Sequence, residues 1–147
     1  MMAARRPQSV LFVCSQNAVR SVLAEALTRH YFGNSIYVDS AGVRPAGTNS
    51  FVSTVLEESG LDDRRRHRPK SLDDLEDNNF DLIVTLSPQA HHAALEWGRG
   101  LAVEVEYWPT PDPELAEGNR EQKLDAYRQV RDGLKRQIMA RFNGHEL

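Results

Sequence analysis

The chain is poor in cysteine: one thiol, Cys14, in 147 residues. A single cysteine excludes an internal disulfide and any zinc site built from several cysteines. It suits a reducing compartment, and a cytoplasmic location is expected. Long hydrophobic runs are also missing. The apolar run Val10–Val13 is far shorter than the roughly 18 residues of a membrane span or the core of a signal peptide. Charge of one sign is not in excess either. The net charge of -3 gives no global reason to expect nucleic acid or an anionic membrane as partner. The one basic run is Arg64-Arg65-Arg66-His67-Arg68 with Lys70. It reads as a solvated loop, with attraction of an anionic substrate or partner as the alternative.

What is present is ordinary globular composition, 40% hydrophobic and 27% charged, at a length that fits one domain. A short extension over residues 1–8 is expected to precede a single domain over residues 9–143. The apolar run Ser9–Val13 reads as a buried strand. Helical spacing of Val19, Val22, Leu23, Ala26 and Leu27 predicts a helix ending near Gly33. Ile36–Val38 reads as a second strand closed by "DSAG". A helix is expected over Ser50–Glu58, stopped by Gly60. A short one is expected from Ser71, with Asp73 and Asp74 in its first turn. "DLIVTL", Asp81–Leu86, reads as a strand buried on both faces. A helix over Gln89–Trp97, a strand over Val103–Tyr107 and the turn "WPTPDP" follow. Leu124, Tyr127, Val130, Leu134 and Ile138 put one apolar stripe on a last helix, about Arg120 to Arg141. This alternation predicts an α/β fold: a four-stranded, open parallel sheet with helices on both faces. Ligands of such sheets sit beyond the carboxyl ends of the strands. Cys14 ends the first strand, and "WPTPDP" follows the last.

The stretch "VCSQNAVRS" therefore falls where a ligand is expected. Cys-x5-Arg between a strand and a helix allows a loop that curls around a small anion. The backbone N–H groups of Ser15, Gln16, Asn17, Ala18 and Val19 can converge, joined by the first free N–H groups of the helix. Arg20 supplies a planar fork for two oxygens of a tetrahedral oxyanion. The same positive field favours a nucleophilic thiolate at Cys14. Ser21 can donate to that sulfur, and Asn17 can brace the loop. A buried structural cysteine with ordinary first-turn residues is the plainer use of such a spacing. The strand before it, the helix after it and the set of Asn, Arg and Ser favour the anion loop. Attack of a thiolate on phosphorus needs an acid for the leaving oxygen. Asp112, in "PDP" at the same sheet edge, is the candidate, although Asp-Pro also serves as a plain turn. No metal or other cofactor is required, because Arg20 and the N–H groups bear the phosphoryl charge.

The segments "VLFVCSQNAVRSVLAEAL", "DSAG", "FDLIVTL" and "WPTPDPELAEG...LDAYRQVRDGL" together resemble the low-molecular-weight protein tyrosine phosphatase superfamily, which also holds arsenate reductases. The resemblance spans nearly the whole chain. It implies Cys14 as nucleophile, Arg20 as phosphate ligand, Asp112 as general acid, and Asn17 and Ser21 as supports. It also implies a phosphorylated protein or small phosphomonoester as substrate, and phosphate, vanadate or arsenate as inhibitory oxyanions. Four positions depart from the family pattern. Gln16 replaces a glycine, and a positive φ there would cost of order 1 kcal/mol. Val19 replaces a second cysteine. Glu114 and Leu115 stand where tyrosines are common. No aromatic wall for phosphotyrosine is evident, Phe51 and Trp108 being candidates that also suit the core. "TLSPQA" and the stretch from "EYWPTPDPELAEG" to "VRDGL" resemble the thioredoxin-coupled arsenate reductases. Those carry a cysteine where this chain has Ser87, and another downstream. With one thiol, an internal disulfide relay is not available. Three functions follow: a phosphatase acting through phosphocysteine; an arsenate reductase using glutathione, mycothiol or a glutaredoxin; or a non-catalytic oxyanion-binding or regulatory protein. His91 and His92 are adjacent, point apart on a helix and lack partners for a metal. Trp97 is expected to pack, and Glu25 to be a surface charge.

Overall fold

The computed structural model describes residues 6–47, 49–61, 68–76 and 79–143. Arg64, Arg65, Arg66 and His67 of the basic run lie outside the described residues. Four strands, β1 (Ser9–Cys14), β2 (Tyr37–Gly42), β3 (Leu82–Thr85) and β4 (Glu104–Tyr107), form one sheet in the order β2-β1-β3-β4. Every neighbouring pair is parallel. The helices are α1 (Arg20–Phe32), α2 (Ser50–Glu58), α3 (Pro88–Trp97) and α4 (Arg120–Phe142). The expected α/β architecture is therefore the observed one.

Alternation along β1 divides the core between the two faces of the sheet. Val10, Phe12 and Cys14 join Leu23 and Leu27 of α1, Val55 of α2 and the α4 stripe Leu124, Tyr127, Val130, Leu134 and Ile138. Leu11 and Val13 face the other way, onto Ala90 and Ala94 of α3 with Leu72 and Phe80. Two alanines let α3 lie close to β3, whose four residues are all buried. Among the described residues no helix is long and apolar enough to cross a membrane.

Four local expectations are corrected. "DSAG" does not close β2 but forms its second half, because β1 offers a partner as far as Cys14 opposite Gly42. Ile36 is not in β2 but in the turn that follows α1, its N–H donating to Phe32 O at 2.8 Å. The helix expected at Ser71 is a single 3₁₀ turn, Leu72–Asp74, held by a reciprocal cap between Ser71 and Asp74. Glu25 is not a plain surface charge: its carboxylate pairs with Arg29 at 2.6 Å and accepts a hydrogen bond from Ser40 Oγ.

Candidate active site

Cys14 is the last residue of β1 and is buried at the base of the loop that follows. The next turns of backbone are tied outward. The carbonyls of Cys14, Ser15 and Gln16 accept from the N–H groups of Val43, Arg44 and Ala46 at 3.2, 2.8 and 3.0 Å. In a trans peptide the following N–H points opposite to the carbonyl. Anchoring three carbonyls outward thus turns the N–H groups of Ser15, Gln16 and Asn17 to the inner side of the loop. At its far end α1 starts at Arg20 behind Val19, which offers no side-chain cap. The helix N-terminus is left for another acceptor, the arrangement that suits an anion.

A polar network stands behind the sulfur. Ser21 Oγ lies 2.9 Å from Cys14 Sγ, and the Ser21 N–H donates to the same sulfur at 3.4 Å. Asn17 Nδ2 donates to Ser21 Oγ at 2.9 Å and to Ser40 Oγ at 3.0 Å, while its Oδ1 accepts from Lys70 N at 3.0 Å. Asn17 is also the described non-glycine residue with a positive φ, 53°. The left-handed position of the loop therefore falls on Asn17 and not on Gln16. Asparagine tolerates that conformation best among residues with a side chain, so the cost anticipated at Gln16 does not arise.

Arg20 and Asp112 meet above this base. Arg20 Nη1 donates to Thr110 O at 3.1 Å, and Nη2 lies 3.9 Å from Asp112 Oδ2. Asp112 caps a second 3₁₀ turn, Pro113–Leu115, its Oδ1 accepting from Glu114 N at 3.0 Å. The "WPTPDP" turn does reach the edge of the sheet where Cys14 ends. A cavity of about 250 Å³ opens there, lined by Cys14, Ser15, Gln16, Val19 and Arg20 from the loop and α1. Ser87, Pro88 and Gln89 from the start of α3, with Asp112 and Glu114, complete it. Of the loop residues expected to hold phosphate, Asn17, Ala18 and Ser21 sit buried behind this lining.

Of the four lining residues not expected at the site, Ser87, Pro88, Gln89 and Glu114, two have side-chain partners or a shifted pKa. Ser87 Oγ contacts Ser15 Oγ at 3.0 Å and accepts from Ala90 N at 3.2 Å, capping α3. Ser-Pro directly after a buried strand is a helix-start signal, and the sheet-edge rule that located Cys14 also locates Ser87. Glu114 is the other. Burial and the neighbouring Asp112 carboxyl push its pKa up, against the opposing pull of Arg20 and a hydrogen bond with Asn49. Neither candidate aromatic lines the cavity. Trp108 is in the core, edge-on to Phe12 at 6.0 Å, and Phe51 packs on Tyr127 at 5.0 Å. His91 shares a hydrogen bond with Thr85 Oγ1 at 2.9 Å and stacks on Tyr107. Among the described residues no group of three or more His, Cys, Asp or Glu could hold a metal ion.

A sulfur, inward N–H groups, a guanidinium and a carboxyl thus meet at one cavity, an arrangement with the chemistry to receive a tetrahedral oxyanion. Comparison with known proteins shows the family and the fold. The arsenate reductase of Bacillus subtilis (strain 168) is 32% identical over 123 residues, 84% of this chain and 86% of that protein. A solved arsenate reductase in the phosphate binding state superposes with a TM-score of 0.76 at 23% identity, covering 92% of this chain and 97% of the other. A tyrosine phosphatase of Erwinia amylovora also gives 0.76, at 19% identity, covering 93% and 92%. The family model for low molecular weight phosphotyrosine protein phosphatases matches residues 9–143. The chain belongs to that family.

Proposed function

We propose that the protein is a phosphomonoesterase that works through a phosphocysteine. The observation that carries this reading is that Asp112 lines the same cavity as the buried Cys14, 3.9 Å from Arg20. An oxyanion-binding protein needs the loop and the arginine but no acid. In the first step the Cys14 thiolate attacks phosphorus in line, the P–O bond to the leaving group breaks, and protonated Asp112 gives its proton to the departing oxygen. Ser21 Oγ and the Ser21 N–H steady the sulfur. Arg20 and the inward N–H groups balance the charge on the equatorial oxygens. In the second step the Asp112 carboxylate takes a proton from water, which attacks phosphorus. The S–P bond breaks, and phosphate and the thiolate are released.

A second reading has its own support, the 32% identity to an arsenate reductase over most of both chains. Cys14 would displace water from arsenate, with Asp112 as proton donor. An external thiol would then attack the Cys14 sulfur, releasing arsenite and leaving a mixed disulfide. A second equivalent of thiol would reduce that disulfide, so two thiols supply the two electrons. Ser87 at the cavity, and the single cysteine of this sequence, favour an external donor over an internal relay.

The deciding experiment is hydrolysis of p-nitrophenyl phosphate across pH by the parent, Cys14→Ser and Asp112→Asn. The phosphatase reading expects turnover in the parent, none in Cys14→Ser and a loss of about 10²-fold or more in Asp112→Asn. A folded parent that binds vanadate but turns over no ester, and reduces arsenate only with added thiol, would establish the second reading instead.

A further inference from the structure

Resting on the phosphatase reading, we infer that Glu114 selects the leaving group: the site takes a small aliphatic phosphomonoester with a cationic group near the phosphate, and disfavours anionic esters.

The cavity at Cys14 sets the first part. None of its ten lining residues is aromatic, so the cavity itself offers no ring to stack on; Phe51 and Tyr127 line the neighbouring cavity, which Glu114 shares. At about 250 Å³, it leaves limited room beside a bound phosphoryl group. Its outer wall is polar, with the amides of Gln16 and Gln89 as available donors and acceptors. A short hydrophilic leaving group fits such a wall, and a large apolar one would forfeit the contacts on which its affinity depends.

Charge sets the second part. A leaving group must pass the residue that protonates it, so it departs along the side of Asp112. Two residues further on, Glu114 lines the same cavity. The Glu114 N–H donates to Asp112 Oδ1, which fixes the backbone of both residues in one turn and holds the second carboxyl beside the exit. Arg20, the cation of this rim, is committed to the phosphoryl oxygens and to Thr110 O. Glu114 is therefore the acidic side chain that a leaving group meets next. An ammonium two or three bonds from the bridging oxygen would gain from it, and a carboxylate at the same distance would be repelled. Specificity is this difference, attraction on one side and repulsion on the other. Burial at the cavity covers only part of Glu114 and the residue as a whole reaches solvent, so salt must weaken the effect.

The test uses three esters matched in length: n-propyl phosphate, 2-aminoethyl phosphate and 3-phosphonooxypropanoate. Each is measured for kcat/KM with the parent and Glu114→Gln, and for binding to Cys14→Ser with and without Glu114→Gln, which needs no turnover. The variant-to-parent ratio cancels intrinsic leaving-group reactivity and any general change at Asp112, because those act on all three esters alike. Glu114→Gln is expected to lower the preference for the aminoethyl over the carboxyl ester by about tenfold, with the propyl ester little changed and the preference shrinking at high salt. An unchanged preference in Glu114→Gln, in both turnover and binding, overturns the assignment while p-nitrophenyl phosphate hydrolysis still upholds the phosphatase reading. No hydrolysis by the parent of p-nitrophenyl phosphate or of any of the three alkyl esters overturns that reading, and binding to Cys14→Ser still decides whether Glu114 discriminates charge.

Discussion

Gly42, the last residue of β2, and Asn17, in the loop after β1, approach so closely that no β-carbon fits between them. An ideal Cβ on Gly42 would lie 2.7 Å from Asn17 N and 2.8 Å from Gln16 C. Real Cβ atoms do not come that near backbone, so any larger residue at 42 must push the loop. Gly42→Ala is expected to cost about 1–3 kcal/mol of stability, the usual range for overpacking. On the proposed function it should also weaken vanadate binding and lower turnover by about 10–100-fold, because it moves the inward N–H groups of the loop. Thermal unfolding and vanadate titration of the same preparation check this. Tight vanadate binding in Gly42→Ala would show that the loop adjusts without loss.

Asn17 joins two demands, a φ of 53° and an amide that bridges Ser21, Ser40 and the Lys70 N–H. Two substitutions separate them. Asn17→Gly keeps the backbone conformation and removes the amide; Asn17→Ala loses both. Each hydrogen bond lost at this buried site costs about 1 kcal/mol net, and the strained φ adds about 1 kcal/mol for alanine. The expected order of stability by denaturant unfolding is parent, then Asn17→Gly, then Asn17→Ala. Equal stability of the two variants would mean that the left-handed backbone carries no cost here.

The main lines of this site were legible in the sequence for a physical reason. Buried parallel strands read as short apolar runs, and ligands of parallel sheets gather at the carboxyl ends, so Cys14 and Asp112 could be brought together without coordinates. The α4 stripe was legible because 3.6-residue periodicity survives over about four turns, from Leu124 to Ile138. What was not legible depends on contacts between distant segments. Which loop residue takes the positive φ is decided by Val43, Arg44 and Ala46 holding the carbonyls of Cys14, Ser15 and Gln16. Ser40, Ala41 and Gly42 look like a turn by composition, and only the neighbouring β1 makes them strand. Ser87 and Glu25 were visible as residues, but their partners, Ser15 and Ser40, lie far away in the chain.

Thr28, on α1, is fully buried, and its Oγ1 finds no hydrogen-bond partner among the described residues. A buried hydroxyl without a partner costs about 1–3 kcal/mol relative to one that is satisfied. Valine has nearly the same shape and a similar helix propensity. Thr28→Val is therefore expected to stabilise the protein by about 1 kcal/mol, with activity unchanged, since the residue touches no part of the cavity. Urea unfolding at a fixed pH measures it. A destabilised variant would reveal that Thr28 Oγ1 is satisfied in solution, by water for example.

The join between α2 and α4 should set the acid limit of the fold. Glu58 accepts from Arg128 at 2.8 to 3.1 Å and from Arg131 at 3.0 Å. The Arg128 hydrogen bonds are the main cause that holds its carboxyl down at about 2, from a usual 4.5, and Arg131 helps against the cost of burial. Folding thus favours the carboxylate. Its contribution is complete above pH 4.5 and disappears as pH falls toward 2, where folded and unfolded states both bind the proton. The group is partly exposed and solvent screens it, so the pairs together are worth about 1 kcal/mol. Glu58→Gln should therefore lower stability by about that amount at pH 7 and flatten the decline between pH 4.5 and 2. At the acid end of that window the two proteins should be equally stable. Denaturant melts at a series of pH values give both curves. A constant gap down to pH 2 would mean that Glu58 stabilises through packing and not through its charge.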